Sequence, residues 1–295
     1  MIGQTTTNPA RPTAPLLDWH AGTIAVGLTA DQHPAHYRLH TPRGAAHGIA
    51  YGTTATGRST LLHHLVTAEA ASGHVDTWVA DPVGDLSDLA EHHTGYYAGG
   101  LDEAAALMHT LDRAIELRTL DAHTQPDGQW TPTGPHPLLS VTVNDWDVLI
   151  AEYPSVVNTA ERIAALGRRT GIALRIAVHR PGLENVGTAR LRDTLAAGTV
   201  VALRLTEPCW IPGLRPGDAD ASELPVGVPG LAYVTGTGAA AVHLWRPEDT
   251  AGQPAAVASA FPTADAAEKL GAGYLGWRDR LAARRRGEPA AVPVA

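Results

Sequence analysis

The stretch Gly52-Thr53-Thr54-Ala55-Thr56-Gly57-Arg58-Ser59-Thr60 leaves the chain few choices. It follows a short apolar run, Gly48-Ile49-Ala50-Tyr51, and leads into Leu61-Leu62-His63-His64-Leu65-Val66. A strand entering a glycine-rich turn that opens a helix is the local plan of a phosphate-binding loop. The spacing from Gly52 to Ser59 is that of G-x-x-x-x-G-K-[ST] in every place but one, where Arg58 replaces the lysine. Gly52 and Gly57 permit backbone angles that a Cβ resists, so successive N–H groups can turn inward as an anion nest. The helix that follows adds the positive end of its dipole. Ser59 has the hydroxyl that holds Mg²⁺ in such loops. Arg58 keeps the charge but is planar and bulkier, so the exchange changes the site. The plain alternative is a glycine-rich surface turn.

The remaining pattern predicts strands alternating with helices. Strands are expected at Thr23–Leu28, Tyr37–His40, Gly48–Tyr51, Asp76–Pro82, Leu138–Val143, Ile172–Val178 and Thr199–Leu205. Helices are expected at Ser59–Ser72, Leu101–Leu120, Ser155–Arg169 and Thr188–Ala197, with a further one opening near Asp147. Such alternation implies a three-layer α/β fold around a mostly parallel sheet, with ligands at the carboxyl ends of the strands. The segments around Leu231–Val234 and Ala241–Trp245, joined through Gly236-Thr237-Gly238, predict a C-terminal β-hairpin. The expected organisation is a flexible segment over 1–20, a P-loop domain over 21–250 and a helical tail over 251–295.

Composition narrows the function. The 295 residues carry a net charge of -8, which argues against a globally basic nucleic-acid binder but not against a local basic patch. Lys269 is the one lysine among 22 basic residues, a bias in which a lysine-to-arginine change at position 58 is unsurprising. The lone Cys209 excludes an intrachain disulfide and a cysteine zinc cluster. With no apolar run near 20 residues and no leader-like start, a cytoplasmic protein without direct membrane insertion is expected. His63-His64 and His92-His93 lack metal-ligand spacing. Trp78, Trp146 and Trp245 read as core, Asp81 as a strand end and Asp85 as a turn residue.

Five pieces in order carry a family resemblance. They are the β lead-in with Val26-Gly27-Leu28-Thr29 and Tyr37-Arg38-Leu39, and the loop with Leu61-Leu62 after it. Then come Val79-Ala80-Asp81-Pro82-Val83-Gly84 and Ser140-Val141-Thr142-Val143-Asn144-Asp145-Trp146. Last is Ala165-Leu166-Gly167-Arg168-Arg169-Thr170-Gly171-Ile172-Ala173-Leu174, followed by Ala177-Val178-His179-Arg180-Pro181. Over roughly residues 23–245 the chain resembles the motor domain of the FtsK/SpoIIIE family of ring-shaped DNA translocases, within the FtsK/HerA superfamily. That family's counterparts are G-T-T-G-S-G-K-S, D-P-K-G, an acidic Walker B strand, and A-R-A-x-G-I-H-L with A-T-Q-R-P.

The resemblance implies an ATP and Mg²⁺ site, with the nucleotide on residues 52–60 and the metal on Ser59 and Asn144. It gives Asp145 the water-activating position, His179 the sensor position, and Arg168 or Arg169 the role of a charge lent to a neighbouring subunit. Read one residue on, Asp145 becomes the metal acid and Trp146 falls in the base position. It also implies double-stranded DNA as a partner near Arg190 and Arg192, and self-association into a ring or assembly with a related ATPase. Arg168, Arg169, Arg190 and Arg192 equally suit solvated helix surfaces, and Arg284-Arg285-Arg286 a charged tail.

Every polar position that family catalysis uses differs here: Arg58 for Lys, Asn144 for the strand acid, Asp145 for Glu, His179 for Gln. Losing transition-state charge stabilisation at one such position costs roughly 3 kcal/mol. Two readings follow: a DNA motor with weakened hydrolysis, or a pseudo-ATPase serving a larger complex. A third is an unrelated nucleotide-dependent enzyme using the same loop.

Overall fold

The computed structural model describes residues 16–92, 96–123, 127–132, 137–214 and 220–246. Its chain begins with β1 (Leu17–Asp18), β2 (Thr23–Thr29), β3 (Pro34–Arg38), β4 (His40–Thr41), β5 (Gly44–Ala45) and β6 (Gly48–Tyr51). Next come α1 (Arg58–Ser72), β7 (Val75–Asp81), α2 (Leu89–His92), β8 (Tyr96–Gly99) and α3 (Leu101–His123). The middle contains β9 (Leu138–Val143), α4 (Trp146–Glu152), α5 (Val156–Thr170), β10 (Ile172–Val178), α6 (Leu183–Val186), α7 (Ala189–Ala196) and β11 (Thr199–Leu203). β12 (Leu231–Val234) and β13 (Val242–Leu244) close the described chain.

One sheet of 11 strands runs β1-β2-β13-β12-β11-β6-β10-β9-β7-β8, with β3 paired to β2. From β11 through β8 the pairings are parallel, and this half is buried on both faces. The expected lead-in and hairpin extend this same sheet: β12 pairs antiparallel with β11, and β13 with β2. α1 covers one face, where Leu61, Leu62, Leu65 and Val66 meet Ala50, Val79 and Val201. α3, α5 and α7 cover the other, where Leu107, Leu111, Ile163 and Leu191 meet Ile49, Val141 and Ile176. The result is three layers, as continuous apolar strand runs require.

Most expected elements form within one or two residues. β11 ends at Leu203 rather than Leu205, because Arg204 turns its carbonyl oxygen to Thr53. β8 and the short α2 and α6 were not expected; each is only four residues long, below what periodicity can register. The segment expected to be flexible through residue 20 is ordered from Leu16, which is buried beside β2, and β1 pairs with β2. The tail expected to be helical, and its arginine run, lie outside the described residues. Trp78, Trp146 and Trp245 are buried, as expected. No helix among the described residues is long and apolar enough to cross a membrane.

One core charge has a readable cost. Asp76 is buried in β7, and burial, opposed by Arg118 and Trp78, pushes its carboxyl from 3.8 up to about 6. Between these values the folded chain holds a proton that the unfolded chain has lost. Stability therefore falls as pH rises through that window and stays lower above it. Asp76→Asn is expected to recover up to ~3 kcal/mol at pH 7 and almost nothing below pH 4. Thermal melts of both proteins at the two pH values would show it; an equal gain at both would refute it.

Candidate nucleotide site

The parallel strands deliver their exits to one edge. β6 lies between β10 and β11, so the residues following Tyr51, Val178 and Leu203 emerge side by side. The loop after β6 is pinned by its neighbours. Gly52 N–H donates to Val178 O at 3.2 Å, and both N–H and Oγ1 of Thr53 donate to Arg204 O at 3.1 Å. Thr56 Oγ1 donates to Thr53 O at 2.7 Å, and Gly230 N–H donates to Thr56 O at 2.8 Å.

Gly57 has φ 109, and a Cβ there would come within 2.9 Å of Gly230 N. Ala55 has φ 62, so this path holds a Cβ-bearing residue in the left-handed region, where the resembled family has glycine. α1 starts without a side-chain cap and without an acidic residue in its first turn. Uncapped N–H groups, a positive helix end and two left-handed residues, Ala55 and Gly57, in the turn fit a phosphate group. Thr54 and Ala55 are exposed at the rim, while Arg58 is buried.

Arg58 does not point outward as a free cation. Its Nη2 donates to Asp145 Oδ1 at 2.8 Å and to His179 Nε2 at 2.8 Å, while Nη1 is buried without a partner. A guanidinium only donates, so His179 Nε2 accepts and its Nδ1–H donates to Asp147 Oδ2 at 2.8 Å. Asn144 Nδ2 donates to Asp145 Oδ2 at 3.0 Å and to Asp81 Oδ1 at 3.2 Å. Asp81 Oδ2 in turn accepts from Leu86 N–H and Tyr97 O–H, both at 2.7 Å. Asp81 therefore does more than end β7: it fastens the following turn and β8 to Asn144. Burial pushes the Asp145 carboxyl up, against the pull of Arg58 and His179. Asp145 sits at φ 43 with no capping bond, so its backbone is held in an unfavourable region while its side chain serves Arg58.

The implied metal set fares differently from the phosphate cradle. Mg²⁺ wants oxygen donors with negative charge in an octahedral shell. Asn144 is neutral, and its amide nitrogen faces both carboxylates. Asp145, Asp147 and His179 present atoms within 4.8 Å of one another, as a metal site would. The guanidinium of Arg58 already bonds two of them. The residues do not fit Mg²⁺ at this place.

The other assignments separate. Trp146 Nε1–H donates to Val186 O inside the core, so no base acts from that position. Arg168 and Arg169 lie at the far end of α5, one length of β10 from the loop, about 20 Å away. Within one chain neither reaches the phosphates. Arg192 stacks over Trp210 and pairs with Asp193. His64 bonds Ala25 O, and His63 pairs with Asp88.

A cleft of about 430 Å³ opens beside Ser59 and Thr60, bounded by His63, Asp85, Asp88, Gly230 and Arg246. It was not foreseen, because its walls come from α1, the turn after β7 and both sides of the hairpin.

No family model and no curated protein matches the sequence. Solved structures do. The cytoplasmic domain of the Thermomonospora curvata type VII secretion ATPase EccC is 19% identical with TM-score 0.57, covering 80% of this chain and 29% of that one. EssC ATPases 2 and 3 from Geobacillus thermodenitrificans are 18% identical with TM-score 0.59, covering 98% and 54%. The pCW3 conjugation coupling protein TcpA, in its monomer form with ATPγS, is 16% identical with TM-score 0.59, covering 81% and 70%. The chain thus spans between about a third and a half of the secretion ATPase structures it matches. At these identities the likeness establishes the fold alone, a three-layer α/β fold shared with these secretion and conjugation ATPases.

Proposed function

We propose that this chain is a nucleotide-binding module of the FtsK/HerA type that does not hydrolyse at a useful rate and serves a larger ATPase assembly. One observation carries it: Arg58 Nη2 lies 2.8 Å from both Asp145 Oδ1 and His179 Nε2. A general base must reach its water with a free lone pair. Asp145 commits Oδ1 to a guanidinium that never deprotonates and Oδ2 to the Asn144 amide, so a water must displace a donor already in place. Parting a buried pair of this kind leaves an uncompensated charge, at about 3–5 kcal/mol. His179 and Asp147 are likewise engaged with each other and with Arg58.

Binding has what it needs. The loop N–H groups, the uncapped start of α1 and the unpartnered Arg58 Nη1 face phosphate oxygens in this reading. The nucleoside then extends past Thr60 into the cleft between Asp88 and Arg246. A partner at this edge is supported by exposed Val83, Val148 and Leu183, which follow the exits of β7, β9 and β10. The secretion and conjugation ATPases with this fold make a related, hydrolysing ATPase the natural partner class.

The deciding experiment measures ATP hydrolysis and nucleotide binding on the same protein, with and without duplex DNA. The expected result is saturable nucleotide binding with turnover at least about a hundredfold below that of a hydrolysing relative, unchanged by DNA. DNA-stimulated turnover that Ser59→Ala abolishes would overturn this and establish the motor reading.

A further inference from the structure

Arg58 does more than obstruct. In a metal-dependent phosphate site, a divalent cation sits between a strand-end acid and the phosphates and offsets their charge. Here the strand-end acid is Asp145, and the group bonded to it is a guanidinium. Both hydrogens of Arg58 Nη2 are used, one by Asp145 and one by His179. These are two of the three groups that together have the spacing of a metal site. The opposite nitrogen, Nη1, is buried without a partner, on the residue that directly follows Gly57 of the phosphate loop. The side chain thus bridges from the acid to the loop, as an ion would. Asn144 completes the arrangement: its amide nitrogen donates to Asp145 Oδ2, so both oxygens of that carboxylate have a donor and neither is left facing a metal alone.

We infer that Arg58 is the resident cation of this site, so the chain takes a nucleoside polyphosphate without a divalent metal. This rests on the nucleotide-binding reading above. Binding becomes indifferent to chelators, and the Asp145 carboxylate stays charge-compensated whether or not a nucleotide is present. The guanidinium supplies the charge through a fixed planar fork, where a metal would bring a hydration shell to be shed.

The test titrates a fluorescent ATP analogue into the purified chain in Mg²⁺ and again in excess EDTA. The expected dissociation constants agree within about threefold, under 1 kcal/mol. A loss of about tenfold or more in EDTA would overturn the inference and leave the nucleotide-binding reading standing. No binding in either buffer would end both. A second arm titrates Mn²⁺ into nucleotide-free protein and follows the loss of its free EPR signal. The unaltered chain is expected to bind none, and Arg58→Ala to bind one ion at the vacated cluster of Asp145, Asp147 and His179. Mn²⁺ bound by the unaltered chain at these residues would equally overturn it.

Discussion

Glu69→Ala is expected to lose about 3–5 kcal/mol, enough to leave much of the chain unfolded at physiological temperature. Glu69 lies on α1 with no exposure, and both its carboxylate oxygens accept from Arg175 Nη2, at 2.7 and 2.8 Å. Arg175 projects from the middle of β10 toward α1, where Thr142 and Ser140 of β9 accept at 2.9 and 2.8 Å and the ring of Tyr37 lies against the guanidinium. Removing Glu69 strands a cation in a dry core. The control is the pair Glu69→Leu with Arg175→Met. It removes both charges, leaves apolar groups of similar size, and should recover most of the loss. Denaturant melts of the three proteins give the answer. A single variant within 1 kcal/mol of the parent would show that the pair is not a buried charge couple.

Gly198→Ala is the second large effect. A Cβ at Gly198 would stand 1.9 Å from His47 O and 2.8 Å from its carbonyl carbon. These are backbone atoms, which cannot swing aside as a side chain would. The next residue, Thr199, donates its N–H to that same His47 oxygen at 3.1 Å, where β6 and β11 begin their pairing. His47 is fixed on its other side: its Nδ1 accepts from Leu174 N–H, and burial lowers its pKa to about 4. The methyl must therefore prise β11 from the strand that feeds the phosphate loop. A destabilisation above about 3 kcal/mol is expected, together with loss of nucleotide binding in whatever folded protein remains. Folded protein with unaltered binding would mean that the β6–β11 junction yields more easily than its contacts imply.

Much of this architecture was legible beforehand. The run from Gly48 to Val66 announced strand, turn and helix, because two glycines at fixed spacing and an apolar stripe leave one economical arrangement. Gly73 and Gly171 marked helix ends correctly, as their left-handed backbone shows. The β lead-in and the hairpin were each recognised, but not that they pair with each other. Register between strands so distant in sequence has no local signature.

At the site, Asn144, Asp145, His179 and Arg58 were named and do converge. What could not be read was that Arg58 would turn into the acid rather than out toward solvent. That depends on two partners, 87 and 121 residues away, being brought to one sheet edge. Glu69 and Arg175 went unremarked, although an arginine inside Ile-Ala-Leu-Arg-Ile-Ala-Val is itself a signal. A charge in the middle of a doubly covered strand requires a partner on the facing helix. Arg168 was assigned by family resemblance alone, as a charge lent to a neighbouring subunit, and α5 holds it at the end of the sheet away from its own loop.

The antiparallel join of β2 to β13 has a consequence for the newborn chain. β2 leaves the ribosome well before its partner edge, which is made roughly 200 residues later. At about 5–20 residues per second, the amide row that will bind Val242 to Leu244 waits some 10–40 s without its partner. For that interval Ile24, Val26 and Leu28 form an apolar, hydrogen-bond-hungry margin, open to any neighbouring nascent chain. Crowding on a polysome is then a hazard that this sheet order adds.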